Sequence, residues 1–178
     1  MINFHYNTTL FSKDAFNEHL KLYRGYCNKT NEILRYLDAT IQRKDADKKY
    51  SYYRGLKKDL SYNLNGVILH ELFFKNICKD KHEPLEWFPM DDFIATAKST
   101  RGWAICCYEQ YTKSIQNILL DTHDYGLVAN MYPLLVIDCY EHAYFQDYGS
   151  NVEKYINNFM NVICWDTVKR RAQVLEVE

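Results

Sequence analysis

The stretch PLLVIDCYEHAYFQDY, residues 133–148, decides how the chain is read, because an apolar run ends on Asp138 and is followed four residues later by His142, with Glu141 between. A carboxylate oxygen and an imidazole nitrogen together suit borderline divalent and trivalent metals such as iron, manganese or zinc, whereas copper(I) recruits sulfur. One reading of D-x-x-x-H is therefore half of a redox metal site. The other is a surface ion pair beside a strand, and a motif this short leaves both open.

Outward from that stretch, the pattern divides. Residues 12–37 suit a helix with Ser12 as N-cap, and residues 50–78 suit a second, with Leu56, Leu60, Leu64, Val67 and Leu72 near helical period. The charged run RKDADKK at 43–49 reads as the exposed turn between them. Asp91 or Asp92 can cap a shorter helix that ends near Gly102. WAICCYEQY, SIQNILLD and YPLLVID are short apolar or alternating runs bounded by turn residues, as three strands require. Ser150 or Asn151 then opens a helix to about Ile163, with a last one after Asp166.

At 178 residues, 47% hydrophobic and 16% aromatic, the chain has material for one sizeable core and no visible linker or repeat. A formal net charge of −1 argues against a general nucleic-acid binder, whose affinity rests on clustered positive charge. The N-terminal MINFHYNTTLF lacks the basic and long apolar regions of a signal peptide, and no apolar run approaches the roughly 20 residues that span a bilayer, so a cytoplasmic location without membrane contact is expected. The six cysteines (27, 78, 106, 107, 139, 164) form no C-x-x-C pair, and are expected to be reduced, mostly buried thiols without disulfides. His19 and His70, taken alone, read as hydrogen-bonded or surface histidines on helices.

DCYEHAYFQDY, preceded by PLLVI and followed by NNFMNVICWDTVKRR, resembles the C-terminal signature of the iron/manganese superoxide dismutases. LHELFFKNI at 69–77 resembles that family's helix carrying the second histidine ligand, and GWAICCYE at 102–109 its first strand. The resemblance runs from about Ser12 to Arg171. It implies an α+β fold, in which an N-terminal helical hairpin (1–88) is followed by a small three-stranded antiparallel sheet packed with helices (89–178), the two forming one compact unit with the metal between them. It also implies a superoxide dismutase with one iron or manganese ion per chain held by His19, His70, Asp138 and His142, with iron slightly preferred and superoxide as substrate. A divergent metal-binding or interaction protein with slow or no turnover is the alternative.

The resemblance extends to the surroundings of the metal. His123 stands where many members place a glutamine, and is expected to reach the metal-bound solvent through room left by Gly66 and, by titrating near neutral pH, to make activity pH-sensitive. Tyr26 resembles the channel tyrosine, although it follows His19 by seven residues rather than the usual eight; seven nearly completes two turns and keeps both on one face. Tyr23 joins that stripe where a gateway histidine is common. Trp103 keeps an aromatic wall position, while Phe74 and Tyr140 replace tryptophans and Phe145 replaces a tyrosine presented to the partner subunit. Glu141 beside His142 implies a reciprocal contact across the twofold axis of a homodimer.

Overall fold

The computed structural model describes residues 2, 4–38, 40–79 and 83–174. Ser12 Oγ accepts the Ala15 amide at 3.2 Å and so caps α1 (Lys13–Asp38), as its position before the periodic run predicts. α1 buries Phe16, His19, Tyr23, Thr30, Ile33 and Leu37, spaced three, four or seven apart along one face. A 3-10 helix (Thr40–Asp45) turns the chain, and Ser51 Oγ, accepting from the Arg54 amide at 3.1 Å, opens α2 (Tyr52–Lys75). α2 packs along α1 to complete the hairpin.

α3 (Met90–Ser99) starts with Pro89 at its N-cap rather than with either aspartate. Asp91 and Asp92 instead occupy the first turn, where their charge faces the positive end of the helix dipole. The sheet follows, with β1 (Trp103–Glu109) between β2 (Ser114–Leu120) and β3 (Met131–Asp138), all antiparallel. As the central strand, β1 is buried along nearly its whole length, which explains its unbroken apolar run. A register shift at Cys106/Cys107 against β3 interrupts the regular pairing. β1 places Trp103 opposite Asp138, the last residue of β3.

Helix α4 (Glu141–Tyr148) follows within three residues of that strand end. It is not legible from periodicity, because it is short and Ala143 is the residue it buries. α5 (Val152–Met160) is capped by the Asn151 side chain, and α6 (Trp165–Gln173) begins just after Cys164. The main core lies between the sheet and the helices, with Trp103, Tyr155, Phe73, Phe93 and Phe159 fully enclosed. A small separate cluster of Ile33, Leu37 and Leu56 lies further along the hairpin. No described helix is long and apolar enough to cross a membrane.

The expectation of free thiols holds for Cys27, Cys106, Cys107 and Cys139 and fails for Cys78 and Cys164, which form a disulfide across 86 residues of chain. Spacing arguments see only local motifs, whereas tertiary structure makes this pair. An antiparallel bridge of Ile77 with Ile163, with the Cys78 amide donating to Val162 O (2.9 Å) and the Cys164 amide to Asn76 O (2.7 Å), brings the two Cα atoms to 4.9 Å.

Candidate metal centre

Four side chains from four elements converge: His19 from α1, His70 from α2, Asp138 from the end of β3 and His142 from the first turn of α4. One donor atom from each lies within 4.8 Å of all the others. Asp138 Oδ2 is the hub, at 3.0 Å from His19 Nε2, 3.1 Å from His142 Nε2 and 3.6 Å from His70 Nε2. Asp138 Oδ1 is held by the Tyr140 amide at 3.0 Å, and the Tyr155 hydroxyl donates to the Asp138 carbonyl at 2.7 Å, so the carboxylate has a fixed direction.

His70 carries the strongest indication of a cation. Its Nδ1 lies 2.6 Å from the Gly66 carbonyl, which only accepts, so the proton sits on Nδ1 and Nε2 presents a lone pair. That Nε2 is buried without a hydrogen-bond partner, and it faces the other three donors. A fixed imidazole lone pair among two more imidazoles and a carboxylate is the donor chemistry of iron, manganese or zinc. His19 Nδ1 is likewise buried and unpartnered.

Burial sets the charge states. It pushes His19 and His70 down, His70 to about 3, so both are neutral and ready to ligate. Burial alone would push Asp138 up, but the charges and hydrogen bonds of His142 and His19 hold it well below the usual carboxylate range. For His142 burial is outweighed by the Asp138 charge and hydrogen bond, and its pKa rises. Its side chain is 28% exposed, whereas His19, His70 and Asp138 are closed off.

The surrounding residues fall less uniformly. Trp103 is buried against the His70 ring and donates its indole N–H to His123 Nδ1 at 2.8 Å. His123 Nε2 then meets the Tyr26 hydroxyl, also at 2.8 Å. Tyr26 and His123 thus lie together beside the four donors. The expected titration of His123 is not supported: the residue is 1% exposed, burial lowers its pKa, and protonating Nδ1 would break the bond from Trp103. Gly66 also acts differently from expectation, because a Cβ there would come within 2.8 Å of the Tyr26 ring. The room it leaves is taken by Tyr26. Tyr23 is buried, with its hydroxyl donating to Glu71 Oε1 at 2.9 Å, and Glu141 is exposed beside His142. Tyr62 was not singled out in the sequence, yet its ring lies 4.6 Å from that of His123. One tyrosine among sixteen carries no local signal.

The sequence model described as "Iron/manganese superoxide dismutases, C-terminal domain" matches residues 78–171. The chain is 35% identical over 167 residues to the superoxide dismutase [Fe] of Aquifex pyrophilus, covering 85% of this chain and 78% of that protein. It is 31% identical over 174 residues to the superoxide dismutase [Fe] of Pyrobaculum aerophilum (87% and 80% covered) and 25% identical over 165 residues to the superoxide dismutase [Mn] 2 of Haloferax volcanii (85% and 81%). The fold and donor set are those of a mononuclear metalloprotein built across a helical hairpin and a small sheet. The chain belongs to the iron/manganese superoxide dismutase family.

Proposed function

We propose that the chain disproportionates superoxide to dioxygen and hydrogen peroxide at one iron or manganese ion held by His19, His70, Asp138 and His142. The carrying observation is the buried, unpartnered His70 Nε2 directed at three further donors. The bound metal would supply one-electron chemistry, taking an electron from one superoxide and giving it to the next, with two protons needed for the peroxide. Iron is the slightly preferred metal, supported by the iron-named relatives at 35% and 31% identity against a manganese-named one at 25%. Around the metal, Trp103 orients His123, and His123 orients Tyr26 at the pocket.

A homodimer with Glu141 at its axis fits the exposed side of α4. There the partly open His142 lies beside Glu141, Phe145 is 57% exposed, and Leu22 of α1 borders the same cleft at 41%. The proposed site of action is the cytoplasm. The slow-turnover reading draws on the polar groups that the channel lacks, with Tyr23 turned to Glu71 and Phe145 without a hydroxyl. Metal analysis joined to superoxide-consumption kinetics decides. About one iron or manganese per chain, rapid consumption, and loss of both in Asp138→Ala are expected. Normal loading in that variant sinks the site, loading without consumption favours the slow-turnover reading, and a monomer in light scattering at micromolar concentration removes the dimer.

A further inference from the structure

The formal net charge of −1 conceals an uneven distribution. Residues 43–59, RKDADKKYSYYRGLKKD, run from the 3-10 helix into α2 and carry seven lysines and arginines against three aspartates, a net +4 that leaves −5 for the rest of the chain. They form the far end of the hairpin, remote from the metal centre: from Arg54 to His70 the helix extends about 24 Å. An exposed turn needs charge for solvation, but not charge of one sign. Elsewhere Lys21, Lys29, Lys75 and Lys98 each meet a carboxylate at 2.5–3.0 Å, whereas among the described residues Lys48, Lys49, Arg54, Lys57 and Lys58 meet none.

Three of these cations share a cleft. Lys49, Arg54 and Lys58 line about 280 Å³ of open space together with Tyr50, Gly55 and Asp59. Arg54 Nε donates to the Lys48 carbonyl at 3.0 Å, and Asp47 Oδ1 accepts the Lys49 and Tyr50 amides at 2.7 and 3.1 Å, so the loop and the guanidinium are held in place. Packing does not require Gly55, because a Cβ there would meet nothing within 4 Å, and its bare backbone keeps the cleft open. Phenol rings stand around the cations. Tyr50 is 94% exposed, Tyr52 52% and Tyr36 45%, while the aliphatic Ile33, Leu37 and Leu56 pack inward.

We propose that this end of the hairpin is a docking surface for single-stranded nucleic acid, with Lys49, Arg54 and Lys58 on its phosphates and Tyr50 stacked against a base. Unpaired cations match a phosphate backbone. An exposed ring beside them serves unpaired bases, whereas the bases of a duplex are already stacked on one another. A second copy of the chain does not fit, because two such ends repel. An anionic membrane would use the charge and leave the ring faces idle. The surface acts whether or not the metal turns over, so it stands apart from the dismutase reading.

The test is fluorescence anisotropy of a labelled oligothymidylate of roughly 15 nucleotides, titrated with the metal-loaded full chain. Micromolar binding at low salt is expected, with log K falling against log salt at a slope of about −2, as three neutralised phosphates on a single strand require. Replacing all three cations by Gln is expected to weaken binding at least about tenfold. The same replacement of the exposed Lys13, Lys154 and Lys169, which changes net charge equally, should cost less than about threefold. Tyr50→Ala is expected to lose roughly fivefold or more, and Tyr50→Trp to retain binding. No binding by the wild type at low salt, equal losses in the two triple variants, or indifference to Tyr50→Ala overturns the proposal. So does tighter binding to vesicles of roughly one part phosphatidylserine to two of phosphatidylcholine than to the oligonucleotide, which would assign the surface to a membrane.

Discussion

The hairpin presents His19 and His70 from within two long helices, whereas the C-terminal half presents Asp138 and His142 from a strand end and the first turn of a short helix. The halves also differ in what holds them. The C-terminal half has a sheet whose central strand is buried almost throughout, with Trp103, Tyr155 and Phe159 enclosed beside it. Among the described residues, the far part of the hairpin has a small cluster of its own, Ile33, Leu37 and Leu56, and leaves Leu34, Tyr36 and Tyr52 exposed. The hairpin is therefore the dependent partner, held by its near end. Three ties hold it there: the metal-ligand set, the Cys78–Cys164 disulfide and the buried Asn76.

The metal tie gives the largest effect. Without metal, His19, His70 and His123 have folded pKa values below the ordinary imidazole range, so as the pH falls through about 6.5 the unfolded chain takes up three protons that the folded chain refuses. Stability is then lost as pH falls. His142 has the opposite sign: its raised pKa contributes stability that is fully present below the unfolded value and lost as pH rises through the folded one, and it adds no further loss under acid. The metal-free protein is expected to melt at a markedly lower temperature at pH 5.5 than at pH 7.5, with zinc postponing the loss because protons must then compete with the ion. Equal melting temperatures at the two pH values in the metal-free state would break the assignment of three neutral, buried imidazoles.

The covalent tie is next. Cys78→Ser opens a loop of 86 residues; chain entropy alone predicts roughly 4.5 kcal/mol for it, and with the usual shortfall the expected loss in the oxidised protein is about 2–4 kcal/mol. Denaturant unfolding with and without a reductant measures it. A wild-type protein whose stability is unaffected by reductant would show that packing and the other two ties hold this end of the hairpin without the disulfide.

The same asymmetry governs what was legible in the sequence. Asp138 and His142 fall within five residues of one apolar strand end, and the family match at 78–171 contains both. His19 and His70 lie outside that match, each on a regular helix where a lone histidine resembles any hydrogen-bonded one. Their meaning depends on the hairpin folding against the sheet. The long helices and three strands were readable because their apolar periods run for several turns or alternations, whereas α4 was not, with one buried residue in eight. The disulfide, the neutral form of His123 and the position of Tyr62 arise from contacts between distant segments, and no spacing rule reaches them.

Asn76, at the C-cap of α2, tests the remaining tie at single-side-chain resolution. It is fully buried, its Nδ2 donates to the Val136 carbonyl on β3 at 2.9 Å, and its Oδ1 accepts from Arg171 of α6 at 2.6 Å. The helix that carries His70 is thus joined to the strand that carries Asp138, six and two residues from those ligands respectively. Asn76→Ala strands a buried carbonyl, while Arg171 keeps its bond to the Leu134 carbonyl at 2.7 Å, so the expected cost is about 1–3 kcal/mol and smaller than that of opening the disulfide. Asn76→Asp separates geometry from polarity: it can still accept from Arg171 but, when ionised, cannot donate to Val136. If Asn76 only fills space, the isosteric Asn76→Asp keeps the stability that Asn76→Ala loses, and both bind metal as wild type. If it sets the approach of α2 to β3, Asn76→Asp places an acceptor against the Val136 carbonyl and weakens metal binding at least as much as Asn76→Ala does. Titration of the metal-free chains with zinc, beside their unfolding curves, distinguishes the two.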